Sequence, residues 1–265
     1  MLTEASIPHA EVDYVAAGFS DVGLQRDHNE DALCILPEHR LFVVADGMGG
    51  HRAGDVASRM ATQAISSFFA ATTSADVTWP FTFDPNLSFD QNRLLTSIQL
   101  ANRRIFEAST THRDVHGMGT TIVGALYSRT DGRVYVAHVG DSRAYRIRGG
   151  QIEQLTRDHS LVNDYLLVMP DMSEAQRAEL PTNVITRALG MQDAVEIDMV
   201  EVTPSAGDTY LLCSDGLNAM VSDAEILSLV DRPSASLESI ARDLVQHANA
   251  NGGDDNITVV IIRLV

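Results

Sequence analysis

Two stretches of this chain end alike. LFVVADG (residues 41–47) and YLLCSDG (210–216) are apolar runs with no polar alternation, and each stops on an aspartate followed by a glycine. A strand that is apolar on both faces must be covered on both, so it belongs inside a layered protein. Asp-Gly alone signals only a turn. Asp131-Gly132, between the runs TTIVGALYS and RVYVAHVG, reads as a hairpin turn and nothing more. Asp46 and Asp215 differ because each puts a carboxylate at the end of a buried strand.

Further strands are expected at YVAAGFS, DALCILP, RAYRI, QIEQL, VEIDMVEV, DTYLLCS and NITVVIIRL. Helical spacing appears from Gly54, with Val56, Met60, Ala64, Ile65, Phe68 and Phe69 on one face. It returns at Leu94, Leu95, Ile98, Ala101 and Ile105. The segment between these helices has two prolines and no period, so it is a long loop in which Trp79 is expected to anchor packing. Ser222 followed by Glu225 is a capping box opening a helix, and a last helix is expected at about 237–248. Hairpins outnumber strand-helix-strand units. The pattern favours an α+β fold of antiparallel sheets packed together with helices outside, in one domain over 1–265, with an irregular excursion at about 157–190.

Nineteen Lys plus Arg against 36 Asp plus Glu give a formal charge of −17, which argues against nucleic acid and anionic membrane as partners. The N-terminus has no signal-peptide pattern, and no run of 18 apolar residues occurs, so a cytoplasmic protein is expected. Cys34 and Cys213 both lie in apolar runs and are expected to be buried and reduced.

The glycines after Asp46 first suggest a phosphate cradle. G-x-G-x-x-G fails because Arg52 stands at the third glycine, and the P-loop pattern fails because Asp55 and Val56 follow Gly54. A carboxylate just ahead of the loop would also repel a phosphate unless a cation lay between them. Other acids occupy comparable strand edges: Glu30 and Asp31, Asp141, and the pair Asp254 and Asp255. If the sheets bring those edges together, the like charges require counter-cations. All-oxygen donors favour hard ions such as Mg²⁺ or Mn²⁺ over Zn²⁺. Spacing alone does not bring these acids together.

The stretches SDVGLQRDHNEDAL, VVADGMGGHRAG, GMGTTIVGAL, VAHVGDSRAYRI, DHSLV, NVITRALG, YLLCSDGL and GGDDNITVV occur in this order across residues 20–260. Together they resemble the metal-dependent serine/threonine protein phosphatases of type 2C (the PPM family), in its compact bacterial form. The resemblance implies a sandwich of two antiparallel sheets flanked by helix pairs, with a flap subdomain at 157–190. It also implies hydrolysis of phosphoserine and phosphothreonine in proteins by a water bridging two Mg²⁺ or Mn²⁺ ions. Asp46 would bridge the ions, with the Gly47 carbonyl on one and Asp215 and Asp255 on the other. Glu30 and Asp31 would lie in or near the coordination sphere, Asp141 with Asp215 would hold a third ion, and Arg26 would grip the phosphate. The glycines around Asp46 would leave room for waters and phosphate. The implied partners are phosphoproteins and a bacterial serine/threonine kinase whose work is reversed, with the enzyme a monomer.

Two departures stand out. Many family members place a histidine directly after the Asp-Gly to protonate the leaving oxygen, and here that residue is Met48. His51 is the nearest substitute, with His159 or a metal-held water as alternatives. The flap carries Leu180-Pro181-Thr182 where relatives have His-Pro, which bears on substrate choice. A non-catalytic phosphoprotein-binding module would have lost a metal acid or Arg26, and neither is lost. Hydrolysis of nucleotides or other phosphoesters shares the chemistry and is disfavoured by the resemblance.

Overall fold

A computed structural model describes residues 13–49, 53–72, 79–181 and 184–265. Its strands are β1 (Tyr14–Asp21), β2 (Asp31–Leu36), β3 (Leu41–Met48), β4 (Gly119–Thr120), β5 (Ile122–Tyr127), β6 (Val134–Val139), β7 (Arg143–Arg148), β8 (Gln151–Gln154), β9 (Asp198–Val202), β10 (Thr209–Cys213) and β11 (Ile257–Leu264). One sheet has the order β1-β11-β10-β7-β8; the other runs β2-β3-β5-β6-β9, with β4 pairing β3. Neighbouring strands are antiparallel in both.

The sheets face each other across Phe42, Val44, Val123, Val136, Tyr210, Leu212, Val260 and Ile262. Side chains alternate along a strand. The intervening residues Leu41, Val43 and Ala45 therefore turn outward, toward helices α1 (Ala53–Ala71) and α2 (Phe89–Thr111). On the far side Leu211, Cys213, Val259 and Ile261 meet the helices α5 (Asp215–Asn218), α6 (Asp223–Val230) and α7 (Leu237–Ala250). β3 and β10 are apolar on both faces because each lies between the other sheet and a helical layer. Truncating fully covered Phe42 to alanine is expected to cost about 3–5 kcal/mol.

The apolar stripe of α1 is rotated from the expected one. Ala57, Ala61, Ala64, Ile65, Phe68 and Phe69 are buried, whereas Val56 is exposed and Met60 only half-buried. Small residues at 53, 54, 57 and 61 let the helix approach the sheet closely, and that contact sets its rotation. In α2, Leu94, Ile98, Ala101 and Ile105 are buried and Leu95 half-buried. Trp79 anchors the loop between these helices, its ring 5.1–6.0 Å from those of Phe68, Phe83 and Phe89. The Ser222–Glu225 capping box is formed at the start of α6. Cys213 is buried, but Cys34 is only half-buried, because β2 is the edge strand of its sheet.

The excursion after β8 contains α3 (Leu161–Val168) and α4 (Glu174–Ala178). It is tied down at both ends: Ser160 bridges Ile185, and Leu189 pairs with Thr120.

Candidate metal centre

The layer between the sheets changes character at one end. Asp46 follows Phe42 and Val44 on the inward face of β3, and Asp31 shares that face of β2 with Leu33 and Ile35. The β2–β3 register sets Asp31 directly opposite Asp46. In the other sheet the inward row continues past Leu212 to Ser214, and Val260 is preceded by Thr258. The Ser214 hydroxyl donates to Asp31 Oδ2 at 2.8 Å and accepts the Thr258 N–H at 2.9 Å, stitching the sheets together. Asp215 opens α5, and Asp141 lies in the turn between β6 and β7.

Both Asp-Gly glycines are required by backbone approach. A Cβ on Gly47 would lie 2.1 Å from the Gly54 carbonyl oxygen and 2.5 Å from that of Glu30, and one on Gly54 would meet Glu30 Oε2 at 2.3 Å. A Cβ on Gly216 would lie 2.1 Å from the Asn256 carbonyl oxygen. This corrects the expectation that the glycines leave open space: at Gly47 and Gly54 the room is filled by the first turn of α1 packing on the end of β3.

The electrostatics are one-sided. Burial, then Asp31, Asp215, Asp141 and Asp255, push the Asp46 carboxyl well above the usual carboxylate range. Burial raises Asp31 to about 7, against hydrogen bonds from Thr258 and Ser214. Burial and then Asp215 raise Asp141 to about 7, and burial and then Asp255 raise Asp215. Glu30 is raised by burial, which Arg26 opposes. Oδ1 of Asp31, of Asp141 and of Asp215 is buried without a hydrogen-bond partner. Among the described residues, no arginine or histidine lies within ion-pairing distance of Asp31, Asp46, Asp141 or Asp215; Arg26 pairs with Asp255 at 2.7 Å. Orphaned oxygens and uncompensated charge, with only oxygen donors, fit hard divalent cations.

A cavity of about 460 Å³ opens over this floor. Arg26, Glu30, Asp46, Gly47, Asp215 and Asp255 line it, joined by His28, Met48, Ile185 and Asn256. Asp31 lies buried beneath, and Asp141 is coupled to Asp46 and Asp215 from outside the lining. His51 lies outside the described residues. His159 is not in the lining: it is buried, its Nδ1 accepts the Gly140 N–H at 3.1 Å, and its Nε2 faces Asp198 at 3.4 Å. Burial, His138 and Arg187 hold its pKa low, so it is poorly placed to donate a proton to substrate. His138, His159 and Asp198 could also group around an ion. Arg187 Nη1, 2.9 Å from Asp198 and 3.3 Å from His159, already supplies the cation there.

Sequence reading missed His28 and Asn256. His28 carried one signal, since in RDHNE it alternates with Arg26 and Glu30. Asn256 acts at long range: its amide donates to the Val22 and His28 carbonyls at 2.8 and 2.9 Å and accepts the Glu30 N–H at 2.7 Å. It thereby pins the Arg26–Glu30 loop to the start of β11.

A cluster of buried carboxylates at the open edge of a two-sheet sandwich, with an arginine on its rim, fits the class of metal-dependent phosphoester hydrolases. The chain belongs to the protein phosphatase 2C family, whose sequence profile matches residues 25–259. It is 38% identical over 253 residues to the serine/threonine phosphatase stp of Listeria welshimeri, covering 92% of this chain and 93% of that one. The crystal structure of serine/threonine phosphatase Stp1 from Staphylococcus aureus superposes with a TM-score of 0.82 at 34% identity, covering 98% of this chain and 100% of that one. The catalytic domain of the phosphatase PstP, solved in complex with two manganese ions, gives a TM-score of 0.79 at 33% identity and covers 96% and 99%. The α+β sandwich expected from the sequence is the fold these proteins share.

Proposed function

We propose that this protein is a metal-dependent serine/threonine phosphatase that works as a monomer on cytoplasmic phosphoproteins and reverses a bacterial serine/threonine kinase. The carrying observation is the charge deficit: Oδ1 of Asp31, of Asp141 and of Asp215 is buried without a hydrogen-bond partner, and among the described residues no arginine or histidine pairs with these acids or with Asp46. Bacterial serine/threonine phosphatases among the relatives, and the two manganese ions in PstP, support the choice of substrate and of Mg²⁺ or Mn²⁺. Among the described residues no helix is long and apolar enough to cross a membrane.

Asp46 would sit between two ions, with the Gly47 carbonyl, Asp215 and Asp255 completing their protein donors and Glu30 and Asp31 close by. Asp141, with Asp215, would hold a third. Bound there, two divalent cations supply charge neutralisation and a water acidified enough to attack phosphorus. The chain's own residues do the rest. Arg26, on the exposed rim, offers a planar fork of donors that suits a phosphoryl group, and its contact with Asp255 holds that fork over the cavity. Asn256 and the Gly47–Gly54 contact fix the loop bearing Arg26 and Glu30, so little reorganisation is left for the reaction. The residues 157–190 act as a flap, since Ile185 at its base lines the cavity.

Hydrolysis of a phosphothreonine peptide and an aryl phosphate, with Mn²⁺ and with chelator, tests this assignment in the native protein, Asp46→Asn and Asp215→Asn. Turnover should require Mn²⁺ and both aspartates. Activity that survives chelation and Asp46→Asn would overturn it.

A further inference from the structure

Beside the metal cavity lies a second groove of about 430 Å³, and Met48 and Ile185 line both. Met48 reaches it from the end of β3 and Met191 from the segment after the flap. The two converge over Gly119 of β4, where a Cβ would sit 3.5 Å from Met48 Cγ and 3.3 Å from Met191 Sδ. We infer that this groove is a substrate-selecting subsite, which takes an apolar side chain two residues from the phosphorylated serine or threonine. The inference rests on the phosphatase reading above.

Three observations carry it. The groove adjoins the cavity that would receive the phosphoryl group across Met48 and Ile185, so a bound protein segment must cross it or turn away from it. In an extended segment residues i and i+2 face the same side, about 7 Å apart. A phosphoresidue over the metal floor therefore directs its second neighbour onto the adjoining surface. Among the described residues the charged side chains of that wall are paired: Arg187 lies 3.1 Å from Glu196 and 2.9 Å from Asp198. The groove mixes polar Thr186 and Gln192 with an apolar strip in which Met191, 55% exposed, lies beside Met48, Ile185 and Val195, and that strip is the part that suits an apolar side chain.

The wall is also held in advance. Leu189 exchanges backbone hydrogen bonds with Thr120 at 2.8 and 3.1 Å, and the Gly190 N–H donates to Asn102 Oδ1 at 2.8 Å. Rigid backbone with unbranched thioether side chains accepts apolar groups of several shapes. The thioether of Met48 thus has a use as groove lining at the position following Asp46-Gly47.

The test is a set of phosphothreonine peptides, Ser/Gly-rich otherwise, in which Leu, Asp or Arg is walked from −3 to +3, with kcat/KM measured in Mn²⁺. Leu at −2 or at +2 should raise kcat/KM about tenfold over Ser, chiefly by lowering KM. Met191→Glu should bring that ratio to about one, while Met191→Leu keeps it. Each variant is normalised to its own aryl phosphate turnover, so a loss of folded protein cancels. A flat scan, a preference for Asp or Arg, or a Leu preference that survives Met191→Glu overturns the subsite and leaves the phosphatase reading standing. Failure to hydrolyse either peptide or aryl phosphate overturns both.

Discussion

Asp208 and Asp46 both sit at an end of a central strand, one in each sheet, and their surroundings are opposite. Asp208 is 1% exposed and fully answered: Arg148 grips it with Nε at 2.6 Å and Nη2 at 2.5 Å, the Ser205 N–H donates at 2.9 Å and the Tyr210 hydroxyl at 3.2 Å. Asp158 is treated the same way by Arg143 and Gln154. Around Asp46 the same fold gathers more acid, and among the described residues no arginine pairs with Asp31, Asp46, Asp141 or Asp215, Arg26 reaching only Asp255. A chain able to satisfy a buried carboxylate twice has left a third place unsatisfied, which is where the proposed cations would bind.

The sharpest way to break that comparison is to neutralise each aspartate. Asp46→Asn should lower turnover of a phosphothreonine peptide by about 1,000-fold or more, since it removes a ligand expected to be shared by both ions. In chelator at about pH 8 the same change should raise the melting temperature, because it removes a buried acid whose ionisation burial and the neighbouring carboxylates oppose. Asp208→Asn should do the reverse. It removes a charged acceptor from the half-exposed Arg148 and from the Ser205 and Tyr210 donors and should cost about 2 kcal/mol of stability, with turnover per folded molecule unchanged. Equal effects of the two changes on stability would erase the distinction.

Metal addition sharpens it from the other side. At a Mn²⁺ concentration 100 times its dissociation constant, the native protein should gain about 2.7 kcal/mol, readable as a rise in melting temperature. Asp208→Asn should keep that increment and Asp46→Asn should lose it. A chelator-insensitive melting curve for the native protein would remove the case for a cation site.

The contrast also marks what a linear sequence discloses. The strands were legible because LFVVADG and YLLCSDG are apolar on both faces, and their aspartates announced a site. The convergence was not legible. It depends on the register that sets Asp31 against Asp46 and on the bond from Ser214 across the sheets, contacts between residues up to 183 positions apart. Glycines invited a local explanation, yet Gly47 is dictated by Gly54 and Glu30 folding back onto it. The rotation of α1 escaped for the same reason, since alanines carry weak periodic signal but set the closest helix–sheet approach. His28 and Asn256 looked like ordinary loop polars, because the staple between them spans 228 residues. Of the residues the resemblance named, Arg26, Glu30, Asp46, Gly47, Asp215 and Asp255 share one cavity, with Asp31 beneath and Asp141 beside it.

The smallest expected effect is the pH dependence of the metal-free protein, and its sign separates the two regions again. Asp31 and Asp141 are raised to about 7 by burial and by neighbouring carboxylates, so the folded protein holds their protons more tightly than the unfolded chain, where a carboxyl titrates near 4. Folded-state proton binding in excess of the unfolded state makes stability fall as pH rises. The contribution is fully present below about pH 4 and is lost as pH climbs through about 7. In chelator the melting temperature should therefore drop by a few degrees between about pH 5 and pH 8. Saturating Mn²⁺ should abolish or invert that slope, because the ions then occupy the oxygens that protons held. Asp215→Asn should flatten the slope in chelator by removing the neighbouring carboxylate that helps raise both Asp31 and Asp141. If stability in chelator instead climbed across this window, the acid cluster would be answered by some cation of the protein, and the contrast with Asp208 would fail.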